Sequence, residues 1–257
     1  MKKIKNKNIY LIVLIFLTNV LYSQQSQIKG QVFGFDNSPI QYARVGLKNS
    51  PIGTVTNPSG EFLLSIKDTE YSDTLKISAF GFHDKIIPIK NLLSQPNVNI
   101  ILDYSPIELE EVIVNGKSLN TYTEGQKRSK TKKELFFVVP DMDNINLGAE
   151  IGRKFSLGEN HTKLEEFSFY LKQNNFEHVS FKINIYSIGK KNIPQDRLNE
   201  EDIVKTINNS TTGWIDVNLS SYHINVKQNI VICIEWIEAS EKGDTLSLPI
   251  FAPTLFD

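Results

Sequence analysis

The residues of this chain that could do acid–base or metal chemistry are few and scattered. Its histidines are His83, His161, His178 and His223, and none has a His or Glu at HxxE or HExxH spacing. A zinc hydrolase site needs such a pair on one face of an element, so none is encoded locally. Carboxylates cluster at Glu108, Glu110 and Glu111, at Glu165 and Glu166, and at Glu200, Glu201 and Asp202. A glycosidase holds two carboxyls a few ångströms apart across a cleft. Neighbours on a strand point to opposite faces, so these runs read as solvated surface. Asp141, Asp143 and Asn144 could offer oxygens to Ca²⁺, but the loop lacks the Gly and distal Glu of an EF-hand. No GxSxG elbow or phosphate-cradling glycine loop occurs, and "SPIGTVTNPSG" fits a hairpin turn. The single cysteine, Cys233, lies within "IVICIEW" and reads as a buried small hydrophobe.

What remains is stacking and surface charge. Exposed rings on a β-sandwich bind sugars by stacking, and Trp214, just after a Gly at a strand start, and Tyr222 are the candidates. Trp236 follows Ile232 and Ile234 in phase and belongs to a core. Lys127, Arg128, Lys130, Lys132 and Lys133 crowd a segment with only Glu124 against them. They read as a solvated linker, or as a contact for an anionic surface, where each basic residue is worth ~1 kcal/mol.

The elements that would position these residues are strands. Val45 and Leu47 alternate with polar neighbours, as do Phe62, Leu64 and Ile66, then Leu75 and Ile77, then Val98, Ile100 and Leu102. That is the period of a strand with one buried face. "NPSG" has the order of a type I turn. After Glu134 the pattern resumes with Phe167, Phe169 and Leu171, then Val179, Phe181, Ile183 and Ile185, then Ile215, Val217 and Leu219. "NIVICIEWI" is apolar nearly throughout and predicts a central strand covered on both faces. "RLNEEDIVKTI" fits a short helix or a strand. Strands spaced near ten residues, with no long helical pattern, predict an all-β protein of antiparallel sandwiches.

At 257 residues the chain has room for two such domains. Apolar residues make up 40%, charged residues 22%, and the formal net charge is −1. That balance excludes a disordered chain and a dedicated nucleic-acid binder, which needs a basic face. Lys2, Lys3, Lys5 and Lys7 precede an apolar run from Ile9 to Val20, with Ser23 beyond it. This is the plan of a signal peptide over residues 1–23, too short to span a bilayer, and it predicts export with no transmembrane segment in the mature chain.

Residues 27–115 carry "IKGQVFGFDNSPIQYARVGLKNSPIGTVTNPSGEFLLSI", "DTLKISAFGFHDKIIPI" and "VNIILDYSPIELEEVIV". Together these resemble a carboxypeptidase-regulatory-like domain. The resemblance implies a seven-stranded, transthyretin-like Greek-key sandwich of an accessory, non-catalytic kind. The C-terminal Tyr-Arg-Gly-Ser of the related purine-pathway hydrolases is missing. The phrase at 107–116, "IELEEVIVNG", also resembles the stretch before the plug and barrel of outer-membrane receptors. A barrel of some twenty strands at ~10 residues each needs far more chain than follows here. The reading is therefore a basic linker over 116–133 and a second sandwich of jelly-roll character over 134–257. That second part is similar to the C-terminal region of other exported proteins, which continue further, so the expectation is either a truncated chain or a last strand supplied otherwise.

The expectation is thus an exported, non-enzymatic interaction or scaffold module of the bacterial envelope, in the periplasm, at the outer membrane or on the surface. Its partner would be an envelope protein or a polysaccharide, the latter through Trp214 and Tyr222. No cofactor or metal is expected.

Overall fold

The structure, a computed structural model, describes residues 25–105, 120–127, 130–138, 146–158, 160–189 and 193–250. The N-terminal apolar run, the phrase at 107–116, Glu108, Glu110, Glu111, Arg128, Asp141, Asp143 and Asn144 lie outside them. The chain is all-β, with its short 3-10 turns (Asp68–Glu70, Ile89–Asn91 and Ser220–Tyr222) at the ends of strands.

The first sandwich packs two sheets. One orders β4 (Glu61–Lys67), β1 (Gln25–Gly34) and β7 (Val98–Leu102). The other orders β3 (Gly53–Val55), β2 (Arg44–Leu47), β5 (Thr74–Ser78) and β6 (Lys85–Pro88). The alternating residues meet between them: Ile28, Val32, Ala43, Val45, Leu47, Phe62, Leu64, Ile66, Leu75, Ile77, Val98, Ile100 and Leu102 are all buried in one cluster. The turn at "NPSG" closes through the Gly60 amide on the Asn57 carbonyl at 2.8 Å. The Asn57 side-chain oxygen accepts the amides of Ser59 and Glu61, so one residue shapes the whole turn.

The sandwich is not wholly antiparallel, which corrects the sequence expectation. β7 runs parallel to β1, from Gly30 opposite Val98 to Gly34 opposite Leu102. The chain reaches β7 from β6 on the opposite sheet, through the turn at Ile89–Asn91, and enters in the direction of β1. That crossover explains Gly30. A Cβ there would lie 2.5 Å from the Val98 carbonyl oxygen and 2.7 Å from the Phe62 ring.

The second sandwich has its own core. One sheet orders β14 (Pro194–Arg197), β13 (His178–Ile188), β18 (Ile230–Ala239) and β9 (Glu150–Phe155), with β15 (Ile203–Asn208) also paired to β13. The ambiguous segment "RLNEEDIVKTI" is strand only at its two ends: Arg197 closes β14, residues 198–202 form the bend, and Ile203 opens β15, the two strands covering successive lengths of one edge of β13. The opposing layer is made of short pieces. β11 (Glu166–Leu171) pairs β16 (Gly213–Asn218), and β10 (Thr162–Lys163) pairs β17 (Asn225–Val226). β19 (Leu246–Pro249) lies between β12 (Gln173–Asn174) and β8 (Glu134–Phe136). The layers enclose Phe167, Phe169, Leu171, Phe176, Phe181, Ile183, Ile215, Val217 and a fully buried Trp236. Phe137 and Phe176 flank the Trp236 ring with centroids at 6.1 and 5.5 Å.

Two outcomes test this account. Gly30→Ala should cost about 1–3 kcal/mol, the usual toll of overpacking, because β7 must move off β1 to admit the methyl; chemical denaturation measures it. Glu134 accepts hydrogen bonds from Lys172, Ser247 and Gln173. These bonds, Lys172 foremost, hold its carboxyl below the ordinary 4.5, at about 2. A depressed carboxyl contributes stability that is complete above its unfolded pKa and is lost as pH falls through its folded one. Melting temperature should therefore fall between pH about 4.5 and about 2, and Glu134→Gln should flatten part of that slope.

Candidate functional site

The densest meeting of charged side chains lies between the two sandwiches. β18 presents Ile230, Ile232, Ile234 and Trp236 to its own core. Its other face carries Cys233 and Glu235. Glu235 is fully buried. An unpaired carboxylate in such a place costs several kcal/mol, so cations must meet it. Arg44, on the outward face of β2 in the first sandwich, supplies one. Its Nε lies 2.6 Å from one Glu235 oxygen and its Nη2 lies 2.8 Å from the other, the two-pronged geometry that suits guanidinium and carboxylate. Arg44 Nη2 also donates to Glu150 of β9 at 2.8 Å.

The neighbouring strand completes the set. From β13, Lys182 Nζ sits 3.3 Å from Glu235 and donates to the Tyr42 carbonyl of the first sandwich. Asn184 donates to Glu150 and Glu235 at 2.7 and 2.9 Å, and the Tyr186 hydroxyl donates to Glu150 at 3.0 Å. Two carboxylates thus face two cations. Burial pushes the Glu235 carboxyl up, but the Arg44 hydrogen bonds, Lys182 and Asn184 outweigh it and hold the group below its ordinary value. Arg44 is pulled down by burial and lifted further by Glu235 and Glu150, so it stays charged. Burial raises the Tyr186 phenol and pushes the Cys233 thiol up to about 12, so neither is a nucleophile near neutral pH. Every group here already has a partner, and what the cluster does chemically is pin the sandwiches together.

Smaller contacts extend the seam. Gly148, at φ 86°, lies in the turn before β9, where an added Cβ would meet Val55 at 3.1 Å. Arg197 of β14 lies over the Phe80 ring at 4.1 Å and bonds Asp202 at 2.8 Å.

The residues singled out in the sequence lie elsewhere, and apart from one another. Trp214 is half-buried on the outer face of β16, edge-on to Tyr170 at 5.4 Å. Lys127 stands over its ring at 5.5 Å and 3.7 Å from Asp216. Tyr222 follows the far end of β16 and packs on the second core, so the structure does not bring the two rings together. Lys130, Lys132 and Lys133 are exposed. The described part of the basic segment lies along the second sandwich: the Tyr122 hydroxyl is 3.4 Å from that of Thr162, and Gly125 is near Phe155. Glu165 pairs with Lys163 and Ser220, and Asp202 with Arg197. Among the described residues no three His, Cys, Asp or Glu side chains gather as metal ligands.

Residues 28–114 match the family model of the CarboxypepD_reg-like domain. The first sandwich is the carboxypeptidase-regulatory-like domain its motifs resemble. That domain is a β-sandwich of a regulatory, non-catalytic type. The chain is also similar to the TonB-dependent receptor SusC of Bacteroides thetaiotaomicron, 32% identical over 106 residues. The alignment covers 41% of this chain and only 10% of that receptor. No helix among the described residues is long and apolar enough to cross a membrane.

Sequence reasoning missed the pin. The available signal was Glu235 itself, a charge set between Ile234 and Trp236 in the apolar run of β18. Arg44→Met should destabilise the protein by about 3 kcal/mol, the lower end of the cost of stranding a buried charge, because Arg44 is 36% exposed and water relieves part of it. Adding Glu235→Gln should recover part of the loss. Denaturant melts of the single and double variants give the coupling, and additive losses would refute it.

Proposed function

We propose that the chain is an exported, non-catalytic interaction module of the bacterial envelope: two sandwiches joined into one body that offers its outer faces and loop tips to an envelope protein. The observation that carries this reading is the pin itself. The charged groups that converge most closely, Arg44, Lys182, Glu150 and Glu235, are matched to one another and hold the sandwiches in place. Such a cluster favours a fixed shape over turnover, because a catalytic acid or base needs a pKa near the working pH. Likeness to a domain carried by an outer-membrane receptor supports an envelope setting. Export would follow from the N-terminal signal-like run.

The test is in-cell cross-linking of the full-length protein, then affinity recovery and mass spectrometry of the envelope fraction. One dominant envelope protein is the expected result. Two results would sink the reading. One is turnover of peptides or glycans by the purified protein. The other is recovery with polysaccharide and no protein, which would move the binding role to rings such as Trp214.

A further inference from the structure

Three connections at one end of the first sandwich carry aromatic rings, two of which stack. The turn after β1 carries Phe35 and Asp36, the link from β5 to β6 carries Phe80 and Phe82, and the residues after β7 include Asp103 and Tyr104. Phe82 and Tyr104 stack with centroids 4.9 Å apart at 26°, and a backbone bridge joins the same two residues. Phe82 therefore steadies one face of Tyr104. The tyrosine remains 52% exposed, and Phe35 is 73% exposed. Large rings gathered at a surface mark a contact, whereas single exposed ones need no explanation.

Carboxylates outnumber ammoniums beside the rings, with Asp36, Asp84 and Asp103 against Lys76 and Lys85. One Asp36 oxygen accepts the Ser38 hydroxyl at 2.6 Å and the Ser38 amide at 3.1 Å. Those bonds hold the Asp36 carboxyl below its ordinary value, so it is ionised at neutral pH. The Tyr104 phenol is raised chiefly by its hydrogen bond to Asp36. Asp84 is matched by Lys76 at 2.7 Å, and the Lys85 ammonium donates to the Ile101 carbonyl at 2.9 Å. Among the described residues, neither Asp36 nor Asp103 has an ion-pair partner.

The chain itself shows what a ring beside a carboxylate can hold. Two residues before Phe82, the Phe80 ring carries the Arg197 guanidinium, which also bonds Asp202. Tyr104 beside Asp36 repeats ring and carboxylate with no cation from the described residues. A guanidinium is drawn to an aromatic face by the ring's quadrupole, stacks flat on it, and bonds a carboxylate at the same time. A neutral sugar could stack on Tyr104 but would leave the Asp36 and Asp103 charges unmatched.

We propose that the tip formed by Phe35, Phe82, Tyr104 and Asp36 is a docking surface for an arginine-bearing segment of a partner protein. The guanidinium lies on the open face of Tyr104 against Asp36, and apolar neighbours of that arginine cover Phe35. This deepens the interaction-module reading and rests on it.

Calorimetry of the full-length protein with the hexapeptide (Leu-Arg)₃, whose leucines can cover Phe35, tests the site, with (Leu-Glu)₃ and maltohexaose as contrasts. The arginine peptide should bind and weaken as salt rises. Asp36→Asn, Phe35→Ser and Tyr104→Leu should each lower its affinity roughly 3- to 10-fold, within the range of an exposed cation–π or charge-assisted contact. Asp36→Asn keeps an oxygen for Ser38, and Phe35→Ser changes an exposed ring, so both remain informative if Tyr104→Leu fails to fold. Affinity unchanged by Asp36→Asn and Phe35→Ser would overturn the proposal. So would maltohexaose binding that depends on Tyr104 while the arginine peptide does not bind. Recovery of the same envelope protein in cells by the wild type and by Asp36→Asn/Phe35→Ser alike would also remove this site while leaving the module reading intact.

Discussion

A carboxylate in the middle of an apolar strand constrains the whole molecule. Glu235 sits on β18, paired on one side to β13 and on the other to β9. It is closed off from water and cannot be neutralised by its own strand. Lys182 and Asn184 reach it from β13, but the two-pronged contact comes from Arg44 of the other sandwich. The outer face of one sheet is thereby fastened to the outer face of another. Separating the sandwiches would expose Glu235 to water but strand Lys182 and Asn184 at a half-dry surface, so the charges favour the joined state. Replacing such a cluster with apolar residues is often neutral or stabilising, which makes orientation, more than raw stability, its best-supported contribution.

That arrangement also separates architecture from recognition. The seam contains strongly perturbed groups, and each is accounted for by burial or by a partner from the protein itself. Arg44 and Glu235 account for one another, and Cys233 is raised by burial beside them. Structural ion-pair networks perturb their members as active sites do, so perturbation alone does not mark function. At the tip of the first sandwich the situation is reversed. Asp36 and Tyr104 are shaped by near neighbours, and the ring face and charge they present point outward.

The match to a regulatory-type domain fits the way the first sandwich is built. Its core closes on itself, with no residue of the second sandwich among the cluster from Ile28 to Leu102. The joining residue lies outside that core. Arg44 alternates with Ala43 and Val45 on β2 and points away from them, so it can be matched to whatever follows without disturbing the packing.

The inward faces were legible in the sequence because a strand's period of two is a local property. Phe62, Leu64 and Ile66, or Phe181, Ile183 and Ile185, declare a buried face without reference to the rest of the chain. Trp236 was placed in the core by the same phase. The all-β class followed from such runs and their turns. Three things needed the tertiary structure. The parallel pairing of β1 and β7 depends on a crossover that alternation does not encode. The grouping of Phe35, Phe82 and Tyr104 depends on three loops meeting at one end of a sandwich, and the rings favoured by sequence, Trp214 and Tyr222, stand at opposite ends of β16 instead. Glu235 announced only that a cation was required. Arg44, 191 residues away, could be identified only once folding had placed two strands of different sandwiches face to face.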